Sequence, residues 1–239
     1  MMAGDENATN ASSPVFLALR DGAGPEWRAY VDHPFVRGLG DGTLPRAAYL
    51  AYLRQDYLFL IHFARAWALL AFKSRDVEEL RIAAGTVKAL IDEEMRLHIE
   101  TCASEGIGAE ELAATTEAPQ TIAYTRYVID RGLAGDNIDL LVALAPCIFG
   151  YGEIGKRLAK TATSPAYRSW IDTYAGPDYE AVCDSVGGLL ERLCARTIGP
   201  EPQRSPRWAD LQSNFTMACR LEAAFWEAGR DDLLKAPAE

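Results

Sequence analysis

Apolar residues in this chain recur at spacings of three and four, and its glycines and prolines fall between long periodic stretches rather than every eight to twelve residues. A helix repeats every 3.6 residues and a strand every two, so a chain patterned this way buries its apolar side chains as packed helices. No Asn-Gly or Asp-Gly turn is flanked by alternating Val, Ile or Thr, which removes the short-range hairpin signal. The sequence predicts an all-α fold of about eight helices in one continuous array. Thr43 reads as the N-cap of a helix with Pro45 in its first turn, running to about Lys73. Further starts are expected at Ser74 to Val77, at Ser164-Pro165 and at Ser205-Pro206, with stops at Gly106, Gly132, Gly135, Gly176 and Gly199.

At 239 residues and 49% hydrophobic the chain can bury a sizeable core. The expectation is a single domain over residues 14–239, behind a disordered leader over 1–13 that has neither the basic flank nor the apolar stretch of a secretory signal. A net charge of −10 argues against nucleic acid or anionic membrane as a partner. The longest apolar segment, Tyr57–Phe72, is broken by His62 and Arg65 short of the roughly 18 residues a span needs, which points to a soluble protein. The five cysteines are odd in number and contain no Cys-x-x-Cys pair, and they read as reduced thiols in a cytoplasm.

Three faces could carry chemistry. Cys147 and Tyr151 stand four apart on one helical face, beside Pro146, which cannot donate to the Val142 carbonyl. A free cysteine is more often a small buried hydrophobe, and a nucleophilic thiol needs a local base, cation or hydrogen-bond donors. Asp56 shares a stripe with Phe59, Leu60 and Phe63; a carboxylate there caps a helix or pairs with an arginine, or else grips a nitrogen-rich ligand. Glu222 stands with Phe225 and Trp226, where desolvation would raise its pKa and suit it to proton transfer, with a solvated or paired glutamate as the plainer alternative. Tyr124 and Tyr174 add aromatics on expected helices. With only His33, His62 and His98, and no Glu-x-x-His pair, a di-iron bundle is disfavoured; Glu94 and His98 at i, i+4 read as an exposed helix pair rather than one side of a metal site. No phosphate-binding glycine loop and no Ser-His-Asp signature is present.

Taken together, "HPFVRGLGDGTLPRAAYLAYLRQDYLFLIHFARA", "EEMRLH", "LAPCIFGY", "WIDTYAG" and "EAAFW" resemble the thiaminase II (TenA) family, in that family's order, over roughly Ala29 to Gly229. The resemblance implies a haem-oxygenase-like helical bundle that binds no haem or other cofactor, assembles as a homotetramer and serves thiamin salvage. It implies hydrolysis of 4-amino-5-aminomethyl-2-methylpyrimidine to the hydroxymethylpyrimidine and ammonia, with cleavage of thiamin as a further reaction. Its nucleophile falls on Cys147, its pyrimidine-binding aspartate on Asp56, its catalytic glutamate on Glu222 and its active-site tyrosines on Tyr124, Tyr151 and Tyr174. Phe59 stands where the best-known members carry tyrosine, so a hydroxyl contact is lost while the ring can still stack. The expected arrangement has Phe59 and Phe225 forming a flat slot with the tyrosines, which also hydrogen-bond around the thiol. Competing expectations are a pyrimidine-binding or regulatory protein without turnover, and a cofactor-free oxygenase of the same fold, whose larger anionic substrate would want a basic pocket.

Overall fold

A computed structural model describes residues 13–235, with side chains through Ala228. Twelve α-helices account for nearly all of it, and no strand occurs among the described residues. They are α1 (Pro14–Gly22), α2 (Gly24–Val31), α3 (Pro34–Asp41), α4 (Arg46–Lys73), α5 (Val77–Ala89), α6 (Met95–Ser104), α7 (Ala109–Ala113), α8 (Pro119–Ala134), α9 (Asn137–Thr161), α10 (Arg168–Ala175), α11 (Pro177–Ile198) and α12 (Trp208–Lys235). Between α5 and α6 the chain makes one π-turn, Leu90–Glu94. The count exceeds eight because short helices such as α2, α3 and α7 are too brief for a periodic signal.

Local chemistry sets most boundaries, with instructive departures. Helix α4 ends at Lys73 as expected but begins at Arg46, because the Thr43 hydroxyl turns back to Asp41 Oδ1 at 2.6 Å instead of capping. Ser164 and Ser205 likewise accept from Ala166 N and Arg207 N in turns, so α10 and α12 start three or four residues later. Gly132 lies inside α8, where its missing Cβ admits the Leu69 and Leu140 side chains, and the stop is Gly135. Ser13 belongs to the fold rather than to a leader: it caps α1 through Phe16 N and donates to Glu191. Residues 1–12 of the expected leader lie outside the described residues.

Helix α9 is the axis of the molecule. Asp136 and Asp139 close a capping box at its start, and α4, α8, α10, α11 and α12 all pack around it. Among the described residues it, and not Tyr57–Phe72, is the helix long and apolar enough to cross a membrane by length and composition, yet most of its apolar stretch is buried inside the protein. A stretch apolar on every side is stable in water only when surrounded, which these helices, with α2 and α3, accomplish. This places the inward faces of α4, α8, α9 and α12 against one another, and those faces carry Asp56, Tyr124, Cys147 and Glu222.

Candidate active site

Cys147 and Tyr151, one turn apart on α9, line a cavity of about 540 Å³ together with Glu94, Tyr174 and Tyr179. Cys147 is the one partly exposed cysteine; Cys102, Cys183, Cys194 and Cys219 are buried, as packing residues would be. Behind the cavity wall the thiol neighbours Glu222 of α12, which is 1% exposed and takes a hydrogen bond from the Tyr124 hydroxyl at 2.8 Å. Burial, with the charge of Asp56 adding to it, pushes the Glu222 carboxyl up to about 8, against the Tyr124 bond and the neighbouring Cys147 thiol, which favour its charged form. The Cys147 thiol is raised well above its ordinary value by burial, then by the charges of Glu222, Glu94 and Asp56. At rest, then, the sulfur holds its proton beside the Glu222 carboxyl.

Asp56 of α4, 2% exposed, has neither of its expected partners: it caps no helix and meets no arginine. Its Oδ2 lies 2.6 Å from His98 Nε2 and accepts from the Tyr52 hydroxyl at 3.0 Å. Tyr52 in turn is within 3.4 Å of the Tyr151 hydroxyl and of Trp170 Nε1, so Asp56 is tied to α9 and α10 through one phenol. Glu94 and His98 are not an exposed pair. The π-turn carries Glu94 into the site, where its carboxylate accepts from Tyr174 at 2.6 Å and its backbone carbonyl accepts from His98 Nδ1 at 2.8 Å. Burial, aided by the charge of Asp56, raises the Glu94 carboxyl, against His98 and the Tyr174 bond.

Thus the structure gathers Cys147, Glu222, Asp56, Phe59, Tyr124, Tyr151, Tyr174 and Phe225 around one centre. Phe59 stacks between Tyr124 at 5.0 Å and Phe225 at 5.2 Å, and Tyr151 faces Tyr174 at 4.8 Å. One expectation fails: Tyr124 and Tyr174 hydrogen-bond to carboxylates and Tyr151 to a phenol rather than to the thiol. Tyr52, Glu94 and His98 are the residues the sequence reading left unassigned. Tyr52 could have been found, since it precedes Asp56 by four on the same face. Of the remaining histidines, His33 caps α3 at Phe35 N and His62 lies 3.2 Å from Glu117. No three His, Cys, Asp or Glu side chains converge as a metal site among the described residues.

Comparison with known proteins meets this geometry from the other side. Residues 21–232 match the TENA/THI-4/PQQC family. An aminopyrimidine aminohydrolase of Halalkalibacterium halodurans is 34% identical over 213 residues, covering 88% of this chain and 92% of that protein. The crystal structure of a TenA family transcription regulator from Silicibacter sp. TM1040 is 53% identical with a TM-score of 0.89, covering 91% of this chain and 96% of that one. A Shewanella denitrificans domain of unknown function with a heme oxygenase-like fold, 16% identical, has a TM-score of 0.71 over 94% of this chain and 96% of that one. That likeness reaches the fold alone, which is the haem-oxygenase-like helical one.

Proposed function

This chain belongs to the TENA/THI-4/PQQC family, and from that membership and the site's geometry we propose that it is an aminopyrimidine aminohydrolase of thiamin salvage. It is a hydrolase that converts 4-amino-5-aminomethyl-2-methylpyrimidine and water to the hydroxymethylpyrimidine and ammonia. The observation that carries this reading is the placing of the Cys147 thiol, on the cavity wall, beside the buried Glu222 carboxyl, whose charge acts on it more than any other. A thiol held protonated by burial is a poor nucleophile alone and needs a base in contact with it. Glu222, at about 8, suits the taking and the giving of a proton near neutral pH.

The Cys147 sulfur adds to the ring carbon beside the one that bears the methylene, and the electrons displaced into the ring expel the amine. The thiol's proton travels by way of Glu222 to the departing nitrogen, which leaves as ammonia. A water oxygen then bonds to the methylene carbon, its proton passes by way of Glu222 to sulfur, and the carbon–sulfur bond breaks as the aromatic ring re-forms. One water is consumed, one ammonia released and the thiol restored. Asp56, held by His98 and Tyr52, takes the amino edge of the ring through charge-assisted hydrogen bonds, and Tyr151 and Tyr174 supply aromatic wall, with Phe59 and Phe225 packed behind it. Thiamin is a second substrate of the same chemistry, its thiazolium nitrogen taking the bonding pair and leaving as neutral thiazole in place of ammonia while the thiol's proton passes by way of Glu222 to solvent.

The test is ammonia release from the aminomethyl pyrimidine by the purified protein without added metal, beside Cys147→Ser. Turnover in the parent and a loss of at least about a hundredfold in the variant support the nucleophile. Tight pyrimidine binding with no product in either would select a binding or regulatory protein, the reading toward which the Silicibacter neighbour's description as a transcription regulator leans. A homotetramer in the cytoplasm belongs to the same proposal, and light scattering and cell fractionation test it.

A further inference from the structure

Tyr30, on α2, is fully buried, and its hydroxyl makes no hydrogen bond to any described residue. A buried phenol of this kind costs stability unless something polar meets it. Its ring stacks on Trp226, beside Glu222's own turn of α12, at 6.1 Å, and stands 6.5 Å from Tyr151. Its hydroxyl lies directly over Gly150: a Cβ there would come within 2.5 Å of the phenol oxygen and 2.1 Å of the neighbouring ring carbon. Gly150 is three residues after Cys147 and so on the same face of α9. The charges that act most on Tyr30 are those of Glu222 and then Cys147. Glycine at 150 therefore lets an otherwise unpaired hydroxyl sit between the turns of α9 and α12 that carry Cys147 and Glu222. Phe59, packed against Tyr124 and Phe225, brings a ring and no hydroxyl.

We propose that Tyr30 and Glu222 together hold the water that completes hydrolysis. The Tyr30 hydroxyl donates to one lone pair of the water, the water donates a proton toward the Glu222 carboxylate, and the second lone pair is left for the methylene carbon. The bond made is carbon to oxygen, the bond broken is carbon to sulfur, and the water's proton ends on Cys147. The inference rests on the hydrolase reading above and assigns its second half to a residue outside the cavity wall.

Tyr30→Phe tests it, because removing an unpaired buried hydroxyl leaves the fold as stable as before or more so. The expected result is an unchanged or higher thermal midpoint and a kcat at least about fivefold lower, with KM lowered alongside it so that kcat/KM holds. Intact-mass spectrometry under saturating aminomethyl pyrimidine should then find a pyrimidine adduct accumulating on Cys147 in the variant and not in the parent. A smaller fall in kcat, or a fall with no adduct, would overturn the assignment. If the parent releases no ammonia, the hydrolase reading itself fails and this inference with it; a parent that turns over beside an unimpaired Tyr30→Phe variant removes only Tyr30 from the reaction.

Discussion

Asp56 Oδ2 lies 2.6 Å from His98 Nε2 in a site from which water is excluded, and the other nitrogen of the same ring lies 2.8 Å from the Glu94 carbonyl oxygen. A carbonyl only accepts, so Nδ1 carries a proton; Nε2, facing a carboxylate, carries the second, and His98 is an imidazolium. Burial works against that charge, but the Asp56 hydrogen bond and the charges of Asp56 and Glu94 outweigh it and raise His98 above its ordinary value. The pair fixes Asp56 as an acceptor before any ligand arrives.

His98→Leu leaves the Asp56 carboxylate buried alone and should cost about 3–5 kcal/mol in denaturant unfolding at pH 6. Adding Asp56→Leu should recover much of it. A histidine whose pKa is raised by folding contributes stability that is complete below 6.5 and lost as pH rises through the raised value, so the cost of His98→Leu should be smaller at pH 9. An equal cost at both values would show that the ring is neutral in the fold.

Glu222→Gln should be more thermally stable than the parent, increasingly so as pH rises. An unfolded glutamate ionises near 4.5 and the folded one near 8, so between those values the unfolded chain sheds a proton that the fold keeps. The parent loses stability across that window and the variant does not. The difference in melting temperature should therefore grow from pH 5 to 8 and level off above; a difference constant from pH 5 to 9 would mean that Glu222 is ionised throughout.

The rate should follow the same group. With Glu222 protonated the thiol has no acceptor, so kcat/KM on the aminomethyl pyrimidine should rise about tenfold per pH unit below 8 and flatten above. A profile flat from pH 6 to 9 would remove Glu222 as the base.

Alkylation by iodoacetamide should label one thiol of the native protein, Cys147, because the other four are buried. Burial and the charges of Glu222, Glu94 and Asp56 hold that thiol protonated, so labelling should be slow at neutral pH and accelerate above it. Bound pyrimidine should protect; peptide mapping that found Cys102 or Cys183 labelled first would contradict the packing.

Gly155→Ala tests how α10 is seated on α9. A Cβ at 155 would come within 2.5 Å of the Tyr174 carbonyl carbon, and backbone cannot swing aside as a side chain can. Overpacking of this kind costs about 1–3 kcal/mol, and the shift should carry the Tyr174 hydroxyl away from Glu94 and raise KM. Unaltered stability and KM would mean that α10 yields freely.

What the sequence by itself determined is the helical architecture and the local faces: Cys147 with Tyr151, Asp56 with Phe59, Glu222 with Phe225 and Trp226. Those relations are properties of one helix, set by a rise and a turn that do not depend on the rest of the molecule. Short helices and serine-started turns escaped it, since hydrogen bonds of a few tenths to about one kcal/mol decide them. Only the tertiary structure decided who meets whom. Asp56 finds His98 42 residues away, and Tyr124 finds Glu222 across 98. The π-turn that brings Glu94 inward leaves no mark in residue spacing. The same holds for the protons: a carboxyl near 4.5 in the free chain reaches about 8 at Glu222 because packed helices exclude water around it. That exclusion belongs to the assembled core and not to any stretch of sequence.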